Sequence, residues 1–409
     1  MIRVLHLSDL HLNTGFGSKK QSVRESLKEA LLNAFEKSAK YAIVNQLDAV
    51  IIAGDLFDND NINFHMEKRI LRNIQLLLDS DIDIIYSLGN HDPMDTTDIL
   101  NAIKTHHRFH VFESDEITTK VLYSKDGTPY QLVGCGHKSK GEKRNLIKKY
   151  PIKNNSLPWI GVAHASVPSA RTISEKESYM PTALSNIEIL DYDYFALGHI
   201  HIRQMLTPKI AYSGNIQGLS IKETGKKGGY LIELDMNLTN VVPVDFHEIE
   251  WAFFELDLTS DITDSESLSE KISNLVTDYV SSSDVKFICR IALKGRTVLY
   301  KELKEPSNIS FLEDDLCNEL DLLDLEIRTD GITKNVDLEA LKREETVLSY
   351  ALNQLENYSE SLELMRRMYA LPIFPRGMTE SEKKDFILSK LEKVQNEIVN
   401  RMVRNDYDY

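Results

Sequence analysis

IRVLHLSDLHL, residues 2–12, is the stretch that decides the fold class. Its first half, Ile2–Leu7, is a short run rich in apolar and branched residues, the make-up of a buried strand. Its second half sets Ser8, Asp9 and His11 directly after that strand, where polar side chains are costly unless they have partners or a task. The same pairing of apolar strand and polar turn recurs through the first 235 residues. Ala49–Ala53 leads into Gly54-Asp55, Ile82–Leu88 into Gly89-Asn90-His91-Asp92, Ile160–Ala163 into His164, and Tyr194–Leu197 into Gly198-His199-Ile200-His201. Apolar residues at helical spacing over Val23–Ala42 and Met66–Leu78 separate some of these strands. Strands alternating with helices predict an α/β core whose chemistry lies at the carboxyl ends of its strands.

The pattern changes near residue 245. Trp251–Leu258, Val285–Ala292 and Leu325–Thr329 read as strands, with helical segments near Ser267–Val280 and Phe311–Leu322. This describes a smaller α+β domain without polar turns. From Val336 onward the chain reads as helical only, with segments Val336–Tyr358 and Leu362–Ala370. A proline break follows at 372–377, and Thr379-Glu-Ser-Glu382 is a capping box that opens the last helix. The predicted division is 1–240, 245–335 and 336–409. On the last helix Phe386, Leu388, Leu391, Val394, Ile398 and Met402 recur at helical spacing. Such a stripe is either the core of a bundle or a docking face, and Phe386, Leu391, Val394 and Ile398 are the candidates for the second role.

Composition excludes several classes. With 42% hydrophobic and 27% charged residues among 409, the chain is not disordered, collagenous or low in complexity. No apolar run approaches the roughly 18 residues of a membrane helix. The first residues read as a strand and not as a signal peptide. Cys135, Cys289 and Cys317 form no CxxC pair, so neither a disulfide framework nor a thiolate zinc site is indicated. A cytoplasmic location is the resulting expectation. The net charge of −15 is unevenly spread: residues 1–240 hold 28 Lys+Arg and 28 Asp+Glu, so the excess acid lies wholly beyond them. A neutral first half leaves local basic runs as the candidates for phosphate contact, notably Lys143, Arg144, Lys148 and Lys149, with Lys222–Lys227 beside them.

Each polar turn alone is weak evidence, but the set is specific. Asp9, His11, Asp55, Asn90, His164, His199 and His201 all offer oxygen or imidazole nitrogen. In extended chain, residues two apart project to the same side, so Asp9 with His11, and His199 with His201, can share one pocket. Such donors suit Mn²⁺, Fe²⁺ or Zn²⁺. Seven are too many for one open ion and suit two, about 3.5–4 Å apart with a shared carboxylate. His6 points away from a pocket lined by residues after the strand, and His65, His106, His107, His110, His137 and His247 have no ligand neighbours at useful spacing.

In order and spacing, DLHL (9–12), GD (54–55), GNHD (89–92), His164 and GHIH (198–201) resemble the motifs of calcineurin-like metallophosphoesterases. GHIH followed by YSGNIQ (212–217) resembles their DNA-repair exonuclease branch, of the SbcD/YhaO type. The resemblance covers about residues 1–235. It implies a layered sandwich of two mixed sheets flanked by helices, with a capping domain and a C-terminal helical segment. It implies Asp9, His11, Asp55 and His201 on one ion, with Asp55 bridging to Asn90, His164 and His199 on a second, the ions being Mn²⁺ by analogy. It implies His91 as the catalytic residue beside the scissile phosphate. Two departures stand out: Asp58 replaces a second histidine, and Ser213 replaces a proline. The implied activity is a DNA phosphodiesterase, an exonuclease with endonuclease action as an extension. The implied partners are DNA and a coiled-coil ATPase of the SbcC/YhaN type, with homodimers recurrent among relatives. The rival readings are a phosphatase or small-nucleotide phosphodiesterase, and a non-catalytic scaffold.

Overall fold

A computed structural model describes residues 1–58, 62–93, 100, 103–168, 178–235, 238–281, 284–371, 373–374 and 378–403. The chain divides into two compact units, Met1–Ala252 with Asp284–Ile288, and Phe253–Ser283 with Cys289–Tyr409.

The first unit contains two six-stranded mixed sheets. One runs in the order β12 (Leu238–Asp245), β11 (Gly228–Asp235), β1 (Ile2–Leu7), β2 (Ala49–Ala53), β3 (Asp83–Ser87) and β4 (Phe109–Phe112). Strands β1 to β4 are parallel, while β11 and β12 join antiparallel. The second runs β5 (Thr118–Tyr123), β6 (Pro129–Gly134), β7 (Trp159–His164), β8 (Tyr194–Gly198), β10 (Ile210–Tyr212) and β9 (Gln204–Thr207). Its middle four strands are parallel. One core cluster joins the sheets face to face, combining Val4, Ile51 and Ile85 with Leu132, Ile160 and Ala196. Parallel strands buried on both faces read as continuous apolar runs, which is why these were conspicuous in the sequence.

Register determines where the polar turns lie. Leu7 pairs with Ile52 and Ala53 with Ser87, so the turns after β1, β2 and β3 emerge side by side. His164 pairs with Gly198, which sets the end of β7 beside the GHIH turn. Helices α1 (Gln21–Val44) and α2 (Phe64–Asp79) pack together, and α2 packs on β3. Asn63 caps α2 by accepting from the Met66 N–H at 2.9 Å. The short α3 (Leu184–Glu188) lies between β7 and β8 in the chain.

The second unit holds most of a three-stranded sheet, β13 (Ile249–Asp257), β14 (Lys286–Thr297) and β15 (Asp324–Lys334). Its helices are α4 (Ser265–Val280), α5 (Tyr300–Lys304), α6 (Pro306–Glu319), α7 (Leu338–Arg343), α8 (Val347–Glu360), α9 (Leu362–Tyr369) and α10 (Glu380–Met402). The helix expected over Val336–Tyr358 is therefore two. Thr346 caps α8 by accepting from the Ser349 N–H at 3.1 Å, and a new N-cap there ends the continuity. The capping box of α10 is formed as expected by Thr379 and Glu382.

The stripe on α10 divides. Ile398 packs inward against the cluster of Leu338, Leu348, Leu352 and Val399. Asn400 accepts from the Lys334 N–H at 3.2 Å and donates to the Ile332 carbonyl at 3.3 Å, tying this end of α10 to β15. Leu391 lines a groove with Leu352, Leu355 and Leu388. Phe386 and Val394 stay 36% and 46% exposed.

Candidate active site

The turns after β1, β2 and β8 are built from unusual backbone. Asp9 (φ 51°), His11 (φ 46°), Asp55 (φ 52°) and His199 (φ 103°) all have positive φ. Asp and His tolerate this region better than branched residues, yet each instance costs on the order of 1–3 kcal/mol and persists only where surroundings enforce it. Here the turns bind one another: the Asp9 N–H donates to Gly54 O and the His11 N–H to Asp55 O, both at 3.0 Å. Two glycines allow the close approach. A Cβ on Gly89 would overlap the Asp55 carboxylate, and one on Gly198 would overlap the Ala53 carbonyl.

Six of the seven candidate ligands meet through their side-chain donor atoms. Asp9, His11 and His201 bring one such atom each within 4.8 Å of one another, and so do Asp9, Asp55 and His164. His11 Nε2 lies 3.2 Å from His201 Nε2 and 3.8 Å from Asp55 Oδ2. His164 Nε2 lies 3.2 Å from Asp55 Oδ2 and 3.0 Å from Asn90 Oδ1. The seventh, His199, sets its ring 5.3 Å from that of His164, and its N–H donates to Asp9 Oδ1 at 3.0 Å. Asp9 and Asp55 are almost fully buried, and among the described residues no Lys or Arg pairs with either. Buried carboxylates need cationic compensation, and imidazole nitrogens facing each other with carboxylates alongside suit divalent cations. The donor set therefore fits a metal pair with Asp55 between the two groups.

The protonation pattern agrees. Burial works to raise Asp55, but the charge and hydrogen bond of His164 hold it well below the usual carboxylate range. Burial works to lower His164, yet Asp55 takes it to about 9. A cation entering here must displace that proton.

Residues 2–203 match the calcineurin-like phosphoesterase family. They form a calcineurin-like metallophosphoesterase domain. Over 261 residues the chain is 25% identical to the uncharacterized metallophosphoesterase YhaO of Bacillus subtilis (strain 168), which covers 62% of this chain and 63% of YhaO. It is 24% identical over 334 residues to the DNA double-strand break repair protein Mre11 of Sulfurisphaera tokodaii, covering 75% and 78%. It is 26% identical over 257 residues to SbcD of the nuclease SbcCD from Escherichia coli (strain K12), covering 55% and 63%. The chain thus spans under two thirds of the lengths of YhaO and of SbcD.

Around the phosphoesterase centre lie residues whose part was not evident from the sequence. Asp58 Oδ1 sits 2.7 Å from His91 Nδ1 and 3.4 Å from His11 Nδ1, so one carboxylate oxygen faces two imidazoles. Hydrogen bonds from His11 and His91 hold Asp58 far below the usual carboxylate range, and the bond to Asp58 raises His91. The His91 ring is 44% exposed, the most open of the group, and meets the His11 ring edge-on at 4.8 Å. Asp92 clamps two turns together by accepting from the Gly89, Leu56 and Phe57 N–H groups. His137, without ligand neighbours in sequence, is buried with its Nε2 2.7 Å from the His164 carbonyl. Ser213 donates to Ser8 Oγ at 2.8 Å, and Ser8 donates to Asp9 Oδ2 at 2.5 Å, so the departure at 213 supports a ligand. Tyr179 brings its ring 5.5 Å from that of His199.

The basic candidates fare unequally. Arg144 is paired with Glu142 at 2.5 Å and Asp115 at 2.7 Å. Lys143 donates to the Ser178 carbonyl at 2.6 Å and lies over the Tyr179 ring. Lys148 and Lys149 are exposed and form no ion pair among the described residues. Lys227 is buried and donates to the His201 carbonyl at 3.1 Å, so it faces inward and not towards a nucleic acid. No described helix is long and apolar enough to cross a membrane.

Proposed function

We propose that this phosphoesterase cleaves phosphodiester bonds in DNA, as the nuclease component of a repair assembly. The observation that carries the reading is the convergence of Asp9, His11, Asp55, Asn90, His164, His199 and His201 on one rim, with His91 open beside them. Names of relatives support the substrate: Mre11 is a DNA double-strand break repair protein, and SbcD is part of the nuclease SbcCD. A bound metal pair, which we assign as Mn²⁺, would supply an activated water and neutralise charge on the phosphate. Asp9, His11 and His201 would hold one ion, and Asn90, His164 and His199 the other, with Asp55 shared.

The chain's own groups then do the following. Asp58 accepts the Nδ1 proton of His91, which leaves Nε2 of that ring directed away from the carboxylate. A proton held there can pass to the leaving oxygen, and the cationic ring offsets charge developing on the phosphoryl group. Burial of Asp9 and Asp55 keeps bulk water from competing for their lone pairs. Lys148 and Lys149, exposed and without an ion pair among the described residues, are cations free to contact phosphate. We assign the second unit as capping domain and helical segment, with Phe386, Val394 and the Leu391 groove facing a coiled-coil ATPase. Purified protein supplied with Mn²⁺ should cleave linear duplex, single-stranded DNA and bis-p-nitrophenyl phosphate. Turnover confined to a phosphomonoester would instead favour a phosphatase, and none at all a scaffold.

A further inference from the structure

We infer that Glu223, seated beyond the matched family region, is the positioning residue of His201 and sets the affinity of only one of the two metal positions. The inference rests on the two-metal reading above. His201 is the loosest member of its group: its side chain is 27% exposed, against 0% for Asp9 and 3% for His11. Its Nδ1 lies 2.8 Å from Glu223 Oε1. In its neutral form, the one a metal ligand needs, a ring whose Nδ1–H donates to a carboxylate presents the Nε2 lone pair on its other side, which is the side facing His11 and Asp9.

The carboxylate is itself fixed. Glu223 Oε2 accepts from Asn215 Nδ2 and from the Leu219 N–H, both at 2.7 Å. The His201 carbonyl is held from the same loop, by Lys227 Nζ at 3.1 Å and the Asn215 N–H at 3.3 Å. The loop is latched in turn. Gln217 Oε1 accepts from the Glu248 N–H at 3.0 Å, and the Trp251 indole donates to Gly218 O at 2.8 Å. Ring and backbone of His201 thus both depend on residues 215–227.

His164, in the other group, is supported differently. Its Nδ1 lies 2.9 Å from the Ala53 carbonyl, so a main-chain acceptor orients it and no side chain substitution removes that support. The two histidines therefore have unequal backing: His164 a strand carbonyl, His201 a side-chain carboxylate on a loop. Loss of Glu223 should loosen the Asp9–His11–His201 position and leave the Asp55–Asn90–His164–His199 position intact.

The test is Mn²⁺ binding to the metal-stripped full chain, followed by calorimetry and by electron paramagnetic resonance. Wild type should bind two ions and show an exchange-coupled dimanganese signal. In Glu223→Ala one ion should bind unchanged and the other about 10–100-fold more weakly, the range expected for loss of such a support. At one equivalent its spectrum should be that of an isolated ion. Glu223→Gln keeps an acceptor for the His201 N–H and is the conservative variant. Its amide nitrogen then faces Asn215 Nδ2 and the Leu219 N–H, both donors, so it should recover part of the lost affinity; if the alanine variant does not fold, a smaller weakening confined to one ion in the glutamine variant carries the test. Equal weakening of both ions, or no change in either, overturns the inference while leaving the two-metal reading in place. Failure of wild type to bind an ion pair overturns that reading itself.

Discussion

Asp58→Asn isolates the role of the carboxylate that faces His91 and His11. The contact to His91 Nδ1 is 2.7 Å, a charge-assisted geometry, and such bonds contribute roughly 1.5–3 kcal/mol. The His91 ring is 44% exposed, so solvent screening puts the effect at the low end, about 1.5 kcal/mol. That corresponds to roughly a tenfold loss of kcat at saturating Mn²⁺. His91→Ala should cost more, about 10²–10⁴-fold. If Asp58 acts by orienting and charging His91, the two losses are not additive. Asp58→Asn in the His91→Ala background should then cost under about threefold, the remainder arising at His11, 3.4 Å from the same oxygen. The pH profile gives a second reading. Asp58 raises His91 above its ordinary value, so the protonated ring persists to higher pH. Removing the carboxylate should move the alkaline limb of activity to lower pH. The assay is steady-state hydrolysis of bis-p-nitrophenyl phosphate by the four proteins of the cycle. Equal penalties for Asp58→Asn with and without His91 would refute the reasoning.

Three further outcomes follow from the packing. Lys148→Gln with Lys149→Gln should reduce the slope of log affinity against log salt for duplex DNA by about 2 units, while adding Lys143→Gln and Arg144→Gln should change it little, because Arg144 is already paired; a large drop only on adding the second pair would place the phosphate track at Arg144. Ile398→Asp sets a charge against the cluster of Leu338 and Leu352, where Ile398 is partly buried, and should lower unfolding free energy by about 1–2 kcal/mol, whereas Phe386→Asp with Val394→Asp should stay within about 0.5 kcal/mol of wild type in urea titration and lose co-purification with the ATPase; equal destabilisation by both would mean that the exposed side is structural. Burial holds His6 at about 3 and His137 at about 4, below the unfolded value near 6.5, so their contribution to stability is present above pH 6.5 and is lost as pH falls toward 4. Each adds up to about 1.4 kcal/mol per pH unit across that window, and His6→Gln should remove one such share from metal-free unfolding curves between pH 5 and 7; an unchanged slope would contradict the burial argument.

The polar turns were legible because each follows a conspicuous apolar strand. An apolar run ending in Asp, Asn or His is costly without a purpose. The two-residue spacing of Asp9/His11 and His199/His201 presumed extended chain, whereas these pairs lie past the ends of β1 and β8 with Asp9, His11 and His199 at positive φ, so the turns and not the pleat bring them together. Register between distant strands did the rest, and that came from the fold. Glu223 was not legible: it lies 22 residues beyond its partner His201 in a loop with no period. Asp58 was visible only as a departure from the family, since its two imidazole partners arrive from separate turns. The apolar spacing of α10 announced a stripe but not what covers it, because periodicity records which side is apolar and says nothing about the neighbouring element. Ile398 turned inward while Phe386 did not. Strands β9 and β10, of 4 and 3 residues, are too short for alternation to show.

The central claim is a pair of metal positions joined by Asp55. It is tested most directly by elemental analysis of Mn²⁺ in Asp55→Asn and His91→Ala after dialysis against limiting metal, beside wild type. Asp55 Oδ2 lies 3.2 Å from His164 Nε2 and 3.8 Å from His11 Nε2, so its loss should lower occupancy at both positions together, while His91→Ala retains two ions and loses turnover. Two ions in Asp55→Asn, or their loss from His91→Ala, would contradict the account.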